Sequence, residues 1–459
     1  MTSEIVVMNR LGVALASDSA STVYVGGRVK FYHADKLFML SHFHPVGVMV
    51  YNNSSLLGVP WETILKMFRA QLADKCFDTL EEYGTELINY LNGNTALFPE
   101  TVQQQYYCHL VETLFKGIKG GVDDEWVERG SSTAWGPTDE DAASEYKSVQ
   151  AHVIQESLKE WRLKPDVSAE CFDLDVGAEL AGMASGSISD MVAKYFPSAD
   201  GSDVIALNEL ARLVVTKQEI LTESLSGLVI AGYGNAQHFP VMQEYTLGEI
   251  FKSRLKYKLE RTEAIDSKRT SLIRPFAQSE MVDTYLNGVS PTFEYAAYKE
   301  LYEVVMASAQ QIIDGIPRMS KKAKQVYLEK VIPPSVQAVK AAVGRLREQR
   351  ERKHLEPVLQ SIEFLPKNEL AHVASSLVNL SSFQKRMSIS EDETVGGPID
   401  VAVISKGDGF VWIDRKHYFK RELNRHFFGH GKPTQDHNRN GAADDEETSR
   451  EESDPKART

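Results

Sequence analysis

The spacing of hydrophobic positions changes several times along this chain, and each change marks an element boundary. Over residues 5–51 the apolar positions form short, β-branched runs broken by Asn9-Arg10-Leu11-Gly12, by Gly26-Gly27 and by His44-Pro45. Short runs between turn residues predict consecutive strands, a β-meander. Over residues 60–224 the period becomes helical, with Trp61, Ile64, Leu65 and Phe68 on one face and further helical stretches at 102–115 and 142–161. Strand and turn character returns over 225–241 through Leu228-Val229-Ile230-Ala231-Gly232, followed by a charged, helix-prone stretch over 293–352. A helix over 367–387, a turn at Gly396-Gly397-Pro398 and paired strands at 399–405 and 409–414 close the pattern.

The expected organisation is therefore the first half of a sheet core at 1–60 and a helical insertion with core-flanking helices at 61–224. A second sheet follows at 225–292, a second helical insertion at 293–366, and a closing helix and strands at 367–428. Residues 429–459 are rich in Asp, Glu, Asn, Arg and Ser with almost nothing apolar, the composition of a disordered tail.

Composition narrows the setting. With 459 residues, 42% of them hydrophobic, the chain can bury a large core. The apolar run 5–8 lacks a basic flank and is far too short for a signal peptide or a membrane span. Cys76, Cys108 and Cys171 lie far apart, without the pairing of a zinc site or a secreted disulfide framework. A cytoplasmic protein is expected. The net charge of -13 argues against nucleic acid and anionic membrane as partners.

Several local patterns reduce to ordinary structure. Gly232-Tyr233-Gly234-Asn235 lacks the residues of a phosphate loop, and His42 and His44 have no third ligand at metal spacing. The basic residues over 321–353 alternate with Glu348, Glu351 and apolar positions, as on a solvated helix face. Neither cofactor nor metal is expected.

The chemistry concentrates at the N-terminus. Once Met1 is removed, Thr2 carries a hydroxyl nucleophile and a free α-amine that can serve as its base. A hairpin turning at Arg10-Leu11 makes paired positions sum to about 21, which returns Asp18 to the Thr2 end. A turn at Gly26-Gly27 gives a sum of about 53 and brings Lys36 beside Ser17 and Asp18. Lys36 lies in Asp35-Lys36-Leu37-Phe38-Met39-Leu40, which reads as a strand apolar on both faces. A lysine ammonium there would keep the Thr2 amine neutral, and an anionic Asp18 would hold the lysine in place.

These residues resemble the N-terminal-nucleophile hydrolases of the proteasome β-subunit and HslV-type family. The resemblance rests on Thr2, the strand 5–8, Gly12, Ala16-Ser17-Asp18-Ser19 and Lys36-Leu37-Phe38, with weaker matches at 227–233 and at Asp392 before Gly396-Gly397. It implies a four-layer αββα sandwich, an α+β fold, enlarged here by long helical insertions. It implies Thr2 as nucleophile, Asp18 and Lys36 assisting, Asp392 as a second acid and Ser279 near the amine. It also implies a peptide or protein substrate, a homo-oligomer built of rings and an ATP-dependent unfoldase as partner.

Two positions depart from the family pattern. Tyr51-Asn52-Asn53 stands where the family has its oxyanion glycine; backbone N–H groups of Tyr51 and Asn52 can still donate, but Tyr51 would crowd a substrate channel. Val395 replaces a serine beside the Gly-Gly turn. A non-catalytic scaffold that retains Met1, and a hydrolase of small amides, are the alternative readings.

Overall fold

The structure is a computed structural model. It describes residues 3–25, 28–129, 140–173, 175–221, 225–316, 321–387, 396–417, 419 and 423–424. The chain divides after Arg415, and every strand and helix below lies in the unit Met1–Arg415. The proposed tail falls outside the described residues.

In chain order the strands and helices are β1 Ser3–Asn9, β2 Gly12–Asp18, β3 Ala20–Val25, β4 Arg28–His33, β5 Leu37–Met39, β6 Val46–Asn52, β7 Ser55–Leu56, β8 Val59–Pro60, α1 Trp61–Leu72 and α2 Leu80–Leu91. The helical insertion follows as α3 Glu100–Glu128, α4 Glu140–Leu163, α5 Asp175–Met183, α6 Ser185–Tyr195 and α7 Gly201–Thr216. The second sheet region contains β9 Ser226–Gly232, β10 Val241–Phe251, β11 Arg254–Ala264 and β12 Ser271–Ala277. Then come α8 Glu280–Asn287, α9 Pro291–Asp314, α10 Lys321–Arg350, a π turn at Glu351–Leu355, α11 Glu356–Glu363, α12 Lys367–Met387, β13 Ile399–Ser405 and β14 Gly409–Asp414.

Two five-stranded antiparallel sheets form the centre, one ordered β12-β1-β2-β13-β14 and the other β11-β10-β9-β6-β5. The period-two alternation of a strand explains how β1 can be apolar throughout. Val6 and Met8 join Leu15, Met49, Val229 and Ala402 in the core between the sheets. Ile5 and Val7 point the other way, against Leu370, Ala374 and Val378 of α12 and Val282 of α8. On the far side of the second sheet, Val48, Ile230 and Leu247 pack on Ile64 and Phe68 of α1 and Leu87 of α2. The result is a four-layer αββα sandwich, an α+β fold with large helical insertions. The insertion α3–α7 has its own core of Tyr107, Phe115, Ile188 and Leu210, joined to the sandwich through Phe251 at the end of β10.

The hairpin registers follow the turn arithmetic. Glu4 faces Ser17 and Asn9 faces Gly12, so paired positions sum to 21. Ala20 faces His33 and Val25 faces Arg28, so the second hairpin sums to 53. The continuous meander does not form, however. The free edge of β2 is taken by β13, with Val401 opposite Ala16, which leaves β3 no partner there. β3 and β4 form their own two-stranded ribbon, and the chain re-enters the sandwich at β5 in the opposite sheet. No helix among the described residues is long and apolar enough to cross a membrane.

Candidate active site

The start of β1, the end of β2, the link before β5 and the turn before β13 meet at one end of the sandwich, and Asp18 is their common partner. Its carboxylate is fully buried. Oδ1 accepts the Ser3 N–H at 3.1 Å and the Lys36 ammonium at 2.8 Å, while Oδ2 accepts the Gly396 N–H at 3.0 Å. Three N–H donors on one carboxylate satisfy what burial would otherwise leave costly, since a buried charge must be paired and hydrogen-bonded.

Lys36 is 6% exposed and also donates to Ala20 O. It lies in the link between β4 and β5, one residue before the strand; the apolar run that suggested a strand through Lys36 is paired only over Leu37–Met39. The backbone of Lys36 is fixed as well, because its carbonyl accepts the Val50 N–H at 2.9 Å. Both sheets therefore hold the lysine, one through Asp18 and the other through β6.

Tyr51 does not stand in an open channel. Its ring is buried between the sheets, 5.8 Å from the ring of Phe276, and its hydroxyl donates to Glu244 Oε1 at 2.6 Å. Glu244 Oε2 lies 2.6 Å from Arg261 Nε. Burial and the Glu244 carboxylate push the Tyr51 hydroxyl up, so it remains protonated. The ring lies over Gly227, where an added Cβ would sit 2.0 Å from it; only glycine leaves that room.

Asn52 is exposed and takes φ 65°, the left-handed region that asparagine tolerates better than most residues with a side chain. Strand alternation turns its N–H to the same edge as that of Val50, which reaches Lys36. Ser279 stands immediately before α8, half-buried, two residues past Ala277, which pairs with Ser3. Thr2, Asp392 and Val395 lie outside the described residues.

One residue escaped the sequence reading. Glu4 shares the inter-sheet face with Val6 and Met8 and is fully buried. Its Oε1 accepts a 3.4 Å hydrogen bond from Ser17 Oγ, and its Oε2 has no hydrogen-bond partner among the described residues. Burial pushes the Glu4 carboxyl well above the usual carboxylate range; Lys36 opposes the shift and Asp18 adds to it. The signal was an acid opening the run Ile5-Val6-Val7-Met8, in register with that run's inward-facing residues.

His44 Nε2 lies 3.1 Å from Asp74 O, and among the described residues no group of three or more His, Cys, Asp or Glu is placed to hold a metal ion.

Neither a protein-family model nor a curated protein matches the chain. Two solved structures are similar along nearly all of it. An Anbu (Gly-1) mutant from Hyphomicrobium sp. strain MC1 is 8% identical, with a TM-score of 0.26, covering 94% of this chain and 95% of that one. Anbu (ancestral beta-subunit) from Yersinia bercovieri is 9% identical, with a TM-score of 0.26, covering 93% of this chain and 94% of that one. The family placement read from the sequence is corrected accordingly: no model of the proteasome β-subunit and HslV-type family matches the chain, and the two structures named above are Anbu proteins.

Proposed function

We propose that this chain is a threonine-type amide hydrolase, acting on a peptide or protein substrate, with Thr2 as its nucleophile after loss of Met1. The observation that carries the reading is the hydrogen bond from Ser3 N–H to the carboxylate that also binds Lys36. That nitrogen is the one through which residue 2 is joined to the chain, so the ion pair is tied to the nucleophile's own peptide bond.

In this reading the Thr2 amine takes the proton of its own hydroxyl as Oγ attacks the amide carbonyl. A free α-amine titrates near ~7.7 to 8.0, and a neighbouring ammonium favours its neutral form. Lys36, held by Asp18 and Ala20 O, supplies that ammonium. The N–H of Asn52, on the edge that reaches Lys36, is the proposed oxyanion donor, whereas strand alternation turns that of Tyr51 toward β9; one such donor contributes about 10²–10³ in rate. Water then releases the acyl group from Thr2.

Asp392 and Ser279 belong to the same proposal as supporting residues. Asp392 precedes by four residues Gly396, whose N–H is bound to Asp18. Ser279 follows by two residues the partner of Ser3. The test is hydrolysis of unfolded protein and of small amides by the natively processed chain and by Thr2→Ala. Loss of hydrolysis in Thr2→Ala supports the reading, and undiminished hydrolysis overturns it.

A further inference from the structure

Helix α9 has two apolar seams. One runs through Tyr298, Tyr302, Val305, Ala309 and Ile313 at steps of three and four residues; it is half-buried at its start and buried at Ala309 and Ile313. The helix packs mainly on α10, and there Glu294 bridges Arg347 and Arg350. The second seam sits one position earlier at each step, about 100° around the helix: Ala297, Leu301, Val304, Ser308 and Ile312, extended by Phe293. It faces solvent. Phe293 is 65% exposed, Leu301 47%, Val304 58% and Ile312 70%, and none of them joins a hydrophobic cluster of the described residues. Apolar side chains aligned along one helix face and left in water mark an interaction surface. Residues 429–459 contain no large apolar side chain that could cover it.

The seam reads the same in both directions. About a midpoint between Tyr302 and Glu303, positions that sum to 605 match large with large and small with small: Phe293 with Ile312, Ala297 with Ser308, Leu301 with Val304. A two-fold interface demands this self-complementarity, because residue i of one protomer meets residue j of the other and j meets i. We propose that the exposed face of α9 is an interface with a second copy of this chain, the two α9 helices running antiparallel about that midpoint. Charge is compatible with the register. Glu300 falls opposite the partner's Val305, Glu303 opposite the partner's Tyr302, and Lys299 opposite the partner's Met306, so no like charges meet. The area is sufficient as well. A helix of 24 residues is about 36 Å long and about 12 Å across, so two such faces laid together remove on the order of 1,000 Å² from water. A specific protein interface needs about that much.

The inference does not depend on the hydrolase reading, and its test needs no substrate. Sedimentation of the full chain over a range of concentrations reads particle mass for the wild type and for Leu301→Glu/Val304→Glu. Both side chains are exposed in one protomer, so the variant should keep the wild-type circular dichroism. The expected result is a wild type that assembles and a variant whose particle mass is lower by a factor of about two, as when a two-fold contact is lost. A wild type that stays monomeric, its seam left for some other polypeptide, overturns the inference, as does a variant of unchanged mass. A second measurement leaves the centre of the seam intact. Chains carrying Phe293→Cys and Ile312→Cys are co-expressed, oxidised and analysed by peptide mass. A disulfide between positions 293 and 312 of different chains is expected, and none between two copies of position 293, which lie roughly 28 Å apart along the antiparallel pair. Links of 293 to itself as abundant as links to 312 overturn the register, and with it the interface.

Discussion

Gly396 donates its N–H to Asp18 Oδ2 at 3.0 Å, although 378 positions separate the two residues. The end of the sandwich thus depends on chain segments from both extremes of the sequence, brought together because β13 pairs along β2. Asp18 is the point where that closure and the Lys36 ion pair share one side chain.

Replacing Asp18 by Ala should therefore cost about 3–5 kcal/mol, the range for breaking a buried pair and leaving one charge uncompensated. Denaturant unfolding of Asp18→Ala and of Asp18→Asn/Lys36→Met measures it. The double variant, which removes both charges, should recover much of the loss. A cost below about 1 kcal/mol in Asp18→Ala would match an exposed pair and contradict the burial of this one.

Tyr51 and Gly227 should fail for different reasons. Tyr51→Phe keeps the ring between the sheets and removes only the hydroxyl bound to Glu244, a loss of about 1–3 kcal/mol because a charged acceptor is left behind. Gly227→Ala puts a Cβ into the Tyr51 ring and should cost at least as much through overpacking. Thermal unfolding of the two single variants and of Gly227→Ala/Tyr51→Ala checks this: truncating the ring should relieve the glycine substitution, and simple additivity would argue against the contact.

Asn52 can be tested through its backbone alone. At φ 65°, Asn52→Val should lose about 1–2 kcal/mol of stability, whereas Asn52→Gly should be nearly neutral. Equal stability of the two variants, measured by chemical denaturation, would contradict the left-handed conformation at the strand end.

Stability should respond to pH through Glu4. An unfolded glutamate releases its proton near ~4.3, whereas folded Glu4 holds its proton to higher pH because it is buried. Between those two points the folded state binds the extra proton, so this group's contribution to stability declines as pH rises through the window. Glu4→Gln has no proton to lose. Its stability relative to the wild type should increase from about pH 4 upward, until folded Glu4 ionises. Unfolding midpoints that differ by a constant amount at every pH would show that Glu4 does not carry this linkage.

How much of this was legible in the sequence follows from what turn arithmetic can and cannot reach. Local pairing was accessible: the sums of 21 and 53, the helix Lys367–Met387 and the strands Ile399–Ser405 and Gly409–Asp414 come from turn residues and hydrophobic period. Partner choice between distant strands was not. Nothing near Ser17 indicates that Asp400, rather than β3, will lie beside it, so the expected meander split between two sheets and a ribbon. Lys36 came close to Asp18 in the arithmetic because both hairpins end at the same edge, although it arrives there from a link and not from a strand. Tyr51 was expected in a channel because its place was judged from chain position alone. Its partners, Glu244 and Phe276, lie more than 190 residues away. Glu4 was overlooked because it opens an apolar run, where a charge passes for the solvated end of a strand.

The central claim is that residue 2 becomes a free, reactive N-terminus beside the Asp18–Lys36 pair. Intact-mass and peptide analysis of the natively produced chain, after exposure to an electrophilic peptide probe, tests it most directly. The expected result is loss of Met1, with the probe attached at Thr2 and its attachment abolished in Lys36→Ala. A chain that keeps Met1 and takes up no probe at Thr2 would contradict it.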